Sequence, residues 1–458
     1  MTLDVDSAIA VTRFGLGAKA DEIARARADP RGYLTAQIRP TGAPLPWPGG
    51  PGSDERLDDL GALQQARTAL RRSGGTDRDQ VKVAAMQIRA EAGADFLARV
   101  RLGATTQDAF TERWALFWAN HFTVSALKPQ TAGLIGPFEA EAIRPHVFGR
   151  FEDMLVASTQ HPAMLLYLDQ VRSVGPNSLL AQRARRSGKT LGLNENLGRE
   201  AMELHTVGVD AGYTQSDVTE FAKALTGWSL GRANNGEEPR GYMFRPFAHE
   251  PGARTIMGRR YAEGGEDQAL AVLRDLAANP HTANHLAFKI GRHFINDNPP
   301  PTLTARLART YLASDGRLDM VARALIASPE AWSPGAVKFK TPYEFLVSSW
   351  RATGDTPDQI QAVARTMTTM GQKPFSAPSP EGWPEAAQAW CDPDGVIKRM
   401  AWSEGYAEKV VGQRDPAMLA QNALGARLGP LSAKTIGRAE TRSEGLSILL
   451  MSPEFLRR

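Results

Sequence analysis

The sequence predicts an all-α fold: one large, mostly helical body over residues 1–458, with a small β-hairpin and long Pro/Gly loops. Three observations carry that expectation. Apolar residues recur at helical spacing along most of the chain, Pro/Gly-rich segments interrupt that spacing, and a composition 42% hydrophobic and 23% charged is that of a globular chain. A chain of 458 residues buries most of its apolar surface without covalent staples. Its single cysteine, Cys391, excludes an intrachain disulfide framework and any multi-Cys metal site. Lys and Arg number 54 against 50 Asp and Glu, and a net charge of +4 is too thin over this length to argue for nucleic acid. No apolar run approaches the ~20 residues of a membrane span. Residues 1–18 carry acids where a signal peptide carries bases, so no signal peptide is visible and the expected compartment is cytoplasmic by default.

In chain order, Ala8, Val11, Leu16, Ile23, Ala26, Leu34 and Ile38 place helices around a turn at Phe14-Gly15-Leu16-Gly17. Residues 41–58 read as an exposed surface loop, followed by long polar helices over 57–73 and 77–101. Thr105 opens the next helix, with Asp108 near its positive end, and the spacing runs through Trp114, Phe117, Trp118 and His121. Residues 175–193, holding Arg183, Arg185, Arg186 and Lys189, read as a mobile basic loop. Helices return over 194–206 and 216–228. Residues 231–262 hold a loop and a hairpin that pairs Tyr242-Met243-Phe244 with Thr255-Ile256-Met257. Residues 264–294, 303–328, 342–354, 394–411 and 443–451 are helical, and 373–384 is a Pro-rich segment extended over the surface. Ser328-Pro329 and Ser452-Pro453, and more loosely His161-Pro162, each close an apolar helix, because proline lacks a donor and restricts its predecessor.

The densest polar information lies in 194–206. As a helix capped by Asn194, it stacks Leu193, Leu197, Ala201 and Leu204 in an apolar stripe and gathers Asn196, Arg199, Glu200 and Glu203 on another face. His205, two positions beyond Glu203, is rotated by about 200° from that face, so a Glu–His metal pair within this helix fails. Glycine inside a helix costs about 1 kcal/mol against alanine, so Gly198 points to close approach by another element. The plainer reading is a solvated salt-bridge ladder worth tenths of a kcal/mol. A second constellation sets Trp118, Asn120 and His121 at the end of an aromatic stripe, either as core or as the rim of an aromatic-lined pocket. There His121 is open to roles as base, metal ligand or orienting donor. His249-Glu250 lies on a loop free to serve a site. His281, His285 and His293 follow one helix, where Asn279-Pro280 gives His281 a helix-start role over a metal role with His285.

These residues resemble the signature of the bacterial domain-of-unknown-function 1800 family. The match runs through Asn194-Glu195-Asn196, Arg199-Glu200, Glu203-Leu204-His205-Thr206, Tyr213-Thr214-Gln215, Leu225-Thr226-Gly227-Trp228, Phe117-Trp118, Asn120-His121-Phe122, His161-Pro162-Ala163-Met164 and Ser452-Pro453-Glu454-Phe455. It covers nearly the whole chain, with Glu250 where the family has Asp. The resemblance brings no activity. It implies a partner from the sulfatase- or phosphatase-like domain-of-unknown-function 1501 family, with export on that partner. Two functions follow. The first is a hydrolase on a polar polymer or glycan. Its catalytic residues are Glu200, Glu203, His121 and Arg199, and its substrate contacts are Asn120, Asn196, His205, Trp118, Trp228 and His249. The second is a non-catalytic partner or scaffold of a sulfatase-like protein, with the polar helix as a buried structural network. A divalent metal held by His121, His249, Glu200 and Glu203 across different elements is a third expectation, and the cofactor is otherwise unknown.

Overall fold

The computed structural model describes residues 2–73, 78–231, 241–335 and 338–458. Among these it holds twenty-three α-helices and two two-stranded antiparallel sheets, with one hydrophobic core drawing on residues from Ala8 to Leu456. No helix of the described residues is long and apolar enough to cross a membrane.

Two helices form the centre. Ala109–His121 buries Phe110, Trp114, Phe117 and Trp118, and Pro342–Thr353 is buried at all 12 positions. A helix covered on every side is normally apolar throughout, yet these two carry charges, and each is paired across elements. Glu112 meets Arg144 at 2.8 Å, Arg113 meets Glu344 at 2.6 Å, and Arg351 meets Glu22 at 2.8 Å. Around this centre Pro280–Phe294 packs along Pro301–Ala313, and Asn196–Glu203 packs on Gln215–Ala224. The contact expected at Gly198 is there: a Cβ would stand 3.2 Å from the Ala222 backbone nitrogen.

The long helices divide where the chain chemistry requires it. Residues 264–294 form Glu266–Ala277 and Pro280–Phe294, split at Asn279, whose Oδ1 accepts from His281 N. Residues 303–328 form Pro301–Ala313 and Leu318–Ala327, split at Asp315 and Gly316, both in the left-handed region. Each Ser-Pro or His-Pro stop is also a restart: Ser452 Oγ accepts from Phe455 N, and His161 Nδ1 accepts from Ala163 N. Phe151–Gln160 is the apolar helix that His161-Pro162 closes, while Ile360–Thr369, Pro416–Leu424 and Pro430–Ile436 are additions to the sequence reading.

Several expectations are corrected. The two predicted strands exist but do not pair with each other. Trp228–Leu230 pairs with Tyr242–Phe244, and Arg254–Ile256 pairs with Arg259–Tyr261. The second hairpin turns through Met257 and Gly258, both at positive φ, the backbone twist that a two-residue hairpin needs. Most of the expected 231–241 loop, residues 232–240, lies outside the described residues. Residues 175–193 are not simply loop: Ser178 Oγ accepts from Ala181 N and starts a helix over Leu179–Arg186, whose residues are good helix formers. The 41–58 loop ends early, at the start of Ser53–Arg72. Thr105 closes Asp79–Thr105 rather than opening the next helix, and Thr106 Oγ1 accepts from Asp108 N. Residues 373–384 are not a surface segment throughout. Phe375, Ser376 and Ala377 are buried, and the carbonyls of Phe375 and Ala377 accept from Ala126 N and Ser125 Oγ at 2.7 Å. A proline-rich strand has few N–H groups to satisfy, so it can be tucked inside if its carbonyls find donors.

Candidate functional site

The Ala109–His121 helix, the Pro280–Phe294 helix, the first turn of Pro342–Thr353 and the buried Pro-rich strap line a half-open cavity of about 110 Å³. That is room for several waters or one small polar ligand. Leu116, Phe138, Met367 and Phe375 form an apolar wall, and Arg99, Arg113, Asn120, Glu139, His293 and Glu385 bring polar groups to the rest.

His293 organises the polar side. Its Nδ1 lies 3.0 and 2.9 Å from the two Glu385 carboxylate oxygens. Burial holds its pKa below the ordinary value, against the pull of Glu385. The imidazole is therefore neutral near pH 7, with Nδ1–H donating to Glu385 and Nε2 left as an acceptor. Burial alone would raise the Glu385 carboxyl, yet His293 and Lys338 facing it hold it down to about 2. Asn120 Nδ2 reaches Glu385 Oε1 at 3.3 Å while its Oδ1 accepts from Trp383 N at 2.8 Å, so one side chain pins the strap to the central helix. Arg113 Nη1 donates to Glu344 Oε1 at 2.6 Å and also approaches His293 Nε2 at 3.4 Å. Glu344 further accepts from Thr341 N at 2.9 Å, with Arg458 Nε 2.9 Å away. Across the cavity Arg99 Nη1 meets Glu139 Oε1 at 2.6 Å, while Arg99 Nε and Glu139 Oε2 are buried without partners. A donor and an acceptor thus stand unfilled in residues that line the space.

A second cluster continues from the first. His285, Lys289 and His293 recur every four residues on one face of Pro280–Phe294. The His121 ring lies 6.1 Å from His205 and 6.4 Å from His285, centroid to centroid. Burial, then the Lys289 charge, keeps His121 far below its ordinary pKa and pushes His205 down to about 3 and His285 to about 4. Burial likewise lowers Lys289 to about 8, opposed by Glu385 and Glu381.

The sequence-derived site residues separate into three places. Trp118, His121 and His205 meet at the end of the central helix, where His121 Nε2 donates to the His205 carbonyl at 3.1 Å, while Asn120 turns to the cavity and Glu385. Trp228 and His249 lie elsewhere in the core: His249 Nδ1 donates to the Thr226 carbonyl at 2.8 Å, and Trp228 packs on Tyr242. Arg199, Glu200, Glu203 and Asn196 stand on the outer part of their helix. Arg199 bridges Glu195 at 3.4 Å and Glu203 at 3.1 Å, all three partly exposed, and Asn196 is exposed. Arg199 and Glu203 thus belong to a partly exposed ladder with Glu195, the plainer of the two sequence readings. Glu200 is half-buried and its carboxylate makes no hydrogen bond with any described residue, and burial followed by the Glu203 charge raises its pKa. No described group of three or more His, Cys, Asp or Glu side chains is placed to hold a metal ion. His121, His249, Glu200 and Glu203 do not converge, because His249 is committed to Thr226 on another element.

Sequence reasoning passed over Arg113, Glu344, Glu385 and Lys289. Thr341-Pro342-Tyr343-Glu344 is a capping box readable from the sequence, and Lys289 sits midway between the two histidines His285 and His293. Nothing local marks Glu385. No curated protein and no solved structure matches the chain. The family model described as "Protein of unknown function (DUF1800)" does match, over residues 9–457. That match spans nearly the whole chain, from the first buried helix to the last strand-like residues, and the chain belongs to this family.

Proposed function

We propose that the protein is an enzyme of the hydrolase class whose reaction takes place in the cavity bordered by His293 and Glu385. The observation that supports it is an imidazole fixed by a carboxylate at the wall of a cavity whose lining residues also include an arginine–glutamate pair with unpartnered polar atoms. In this reading His293 Nε2 takes a proton from the attacking water, Glu385 stabilises the imidazolium that forms, and the imidazolium returns that proton to the leaving group as the scissile bond breaks. Arg113 and Arg99 then face the negative charge that develops on the substrate. The volume favours a small polar substrate or the end of a polymer chain rather than the middle of a glycan. Glu200 with Glu203 is the alternative acid–base pair, favoured by the raised pKa of an unbonded, half-buried Glu200. The non-catalytic reading, a partner of a sulfatase-like protein, is its competitor.

The test is turnover of chromogenic esters, phosphomonoesters and glycosides by the full chain and by His293→Gln and Glu200→Gln. Loss of turnover in His293→Gln alone supports the cavity, and loss in Glu200→Gln alone moves the reaction to the Asn196–Glu203 helix. An inactive wild type across all three substrate classes removes the hydrolase reading in favour of the partner role.

A further inference from the structure

A second half-open hollow, of about 720 Å³, lies between the Ile360–Thr369 helix and the Pro393–Val410 helix, bordered by the turn at 355–359. That is the size of a pocket for a small ligand, and it shares no lining residue with the His293 cavity. Small residues keep it open. Ala401 and Gly405 follow at a four-residue step on one helix, and Ala362 stands on the other. A Cβ added at Gly405 would meet no atom within 4 Å.

The floor is aromatic and set in advance. The Trp402 and Tyr406 rings stack with centroids 4.5 Å apart, 11° from parallel. The Tyr406 hydroxyl lies 2.7 Å from Thr353 Oγ1 and donates to Asp355 Oδ2 at 3.4 Å. Trp350, 6% exposed, lines the same hollow. Its indole N–H donates to no described residue and is not sealed from solvent, whereas a buried indole normally finds an acceptor.

The rim around this floor is polar and unengaged. The side chains of Asp358, Gln359, Thr366 and Lys409 make no hydrogen bond or ion pair with any described residue. Together they supply both donors and acceptors. Asp355 and Asp358 balance Lys409 and Arg414, so net charge draws no ion to the hollow. A purely apolar ligand would cover the aromatic floor but strip water from the polar rim without replacing it. A ligand with an apolar C–H face and hydroxyls around its edge meets both demands. Its C–H groups settle on the negative face of an aromatic ring, and each hydroxyl can both donate and accept. A pyranose sugar has that form.

We propose that this hollow is a binding site for a neutral carbohydrate, with a pyranose ring against Trp402 and its hydroxyls on Asp358, Gln359, Thr366 and Lys409. The site is independent of the hydrolase reading, since it needs neither His293 nor Glu385 and is read by binding without turnover.

Titration of the full chain with cellotriose, maltotriose, xylotriose and triacetylchitotriose tests it, followed by calorimetry and by the indole NMR resonances. Saturable binding of at least one trisaccharide is expected, with the Trp350 and Trp402 indole signals moving at the same Kd. Gly405→Gln puts a side chain into the open space without crowding the fold. It should weaken the binding at least tenfold at an unchanged melting temperature. Lys409→Met, at an exposed position, should weaken it several-fold and remains a readout if Gly405→Gln does not fold. No saturable binding of any of these trisaccharides, full affinity in either variant, or binding that leaves the Trp350 and Trp402 signals unmoved each overturn the proposal.

Discussion

Two sets of guanidinium–carboxylate contacts in this protein use the same side chains to opposite ends. On Asn196–Glu203, Arg199 reaches Glu195 and Glu203 one turn away on either side, with about a third of the arginine side chain exposed. At the cavity, Arg113 and Arg458 meet Glu344 from distant parts of the chain, and all three are at most 8% exposed. The first set needs only helical spacing and is screened by water. The second cannot exist until three separate segments have come together, and its members have no water to fall back on. Spacing finds the contact that matters less, and burial finds the one that matters more.

Breaking the buried set is expected to have the largest effect. Glu344→Gln leaves Arg113 and Arg458 facing a neutral group and should cost about 3–5 kcal/mol in chemical denaturation. Acidification probes the histidine cluster next. His121 and His205 have pKa values lowered by burial, so the unfolded chain binds protons that the folded one refuses, and stability is lost as pH falls below the unfolded value of about 6.5. Between pH 7 and 5 each should remove about 2 kcal/mol, read from denaturation midpoints at constant ionic strength. Glu385, held near 2, and Glu344, also depressed, stay ionised over that window, while the raised Glu200 works in the opposite sense.

A backbone change comes third. Gly208 has φ +82, and a Cβ there would stand 2.8 Å from His285 Nδ1. Gly208→Ala should therefore cost about 1–2 kcal/mol from the left-handed conformation, and His285 ring resonances should shift. Smallest of all, Arg199→Met should change stability by no more than about 0.5 kcal/mol. A loss as large as that of Glu344→Gln would mean that the outer ladder is structural after all.

Much of the fold was legible, and the limits of that legibility have physical causes. The aromatic stripe of Ala109–His121 announces a buried helix, because Phe and Trp at three- and four-residue spacing have nowhere else to go. Asn279-Pro280 and Asp315-Gly316 announce breaks through capping and left-handed turn chemistry. The hairpin partners were misassigned because a strand's partner is chosen by turn geometry, and Met257-Gly258 is a weaker turn signal than Asn-Gly. Of the candidate site, Asn120, His121 and His205 were readable from their own neighbourhoods. Glu385 was hidden just after a Pro-rich stretch that reads as solvent-exposed until its carbonyls find donors at Ser125 and Ala126.

The amino-acid order by itself determined the helical class, the breaks between helices, the family and the local ladder around Arg199, because periodicity, capping and short-range charge pairing act within a few turns of chain. Only the tertiary structure decided which charged groups leave water. It set Glu385 against His293 and brought Arg113 and Arg458 onto Glu344, because burial and long-range pairing depend on contacts between residues far apart in the chain.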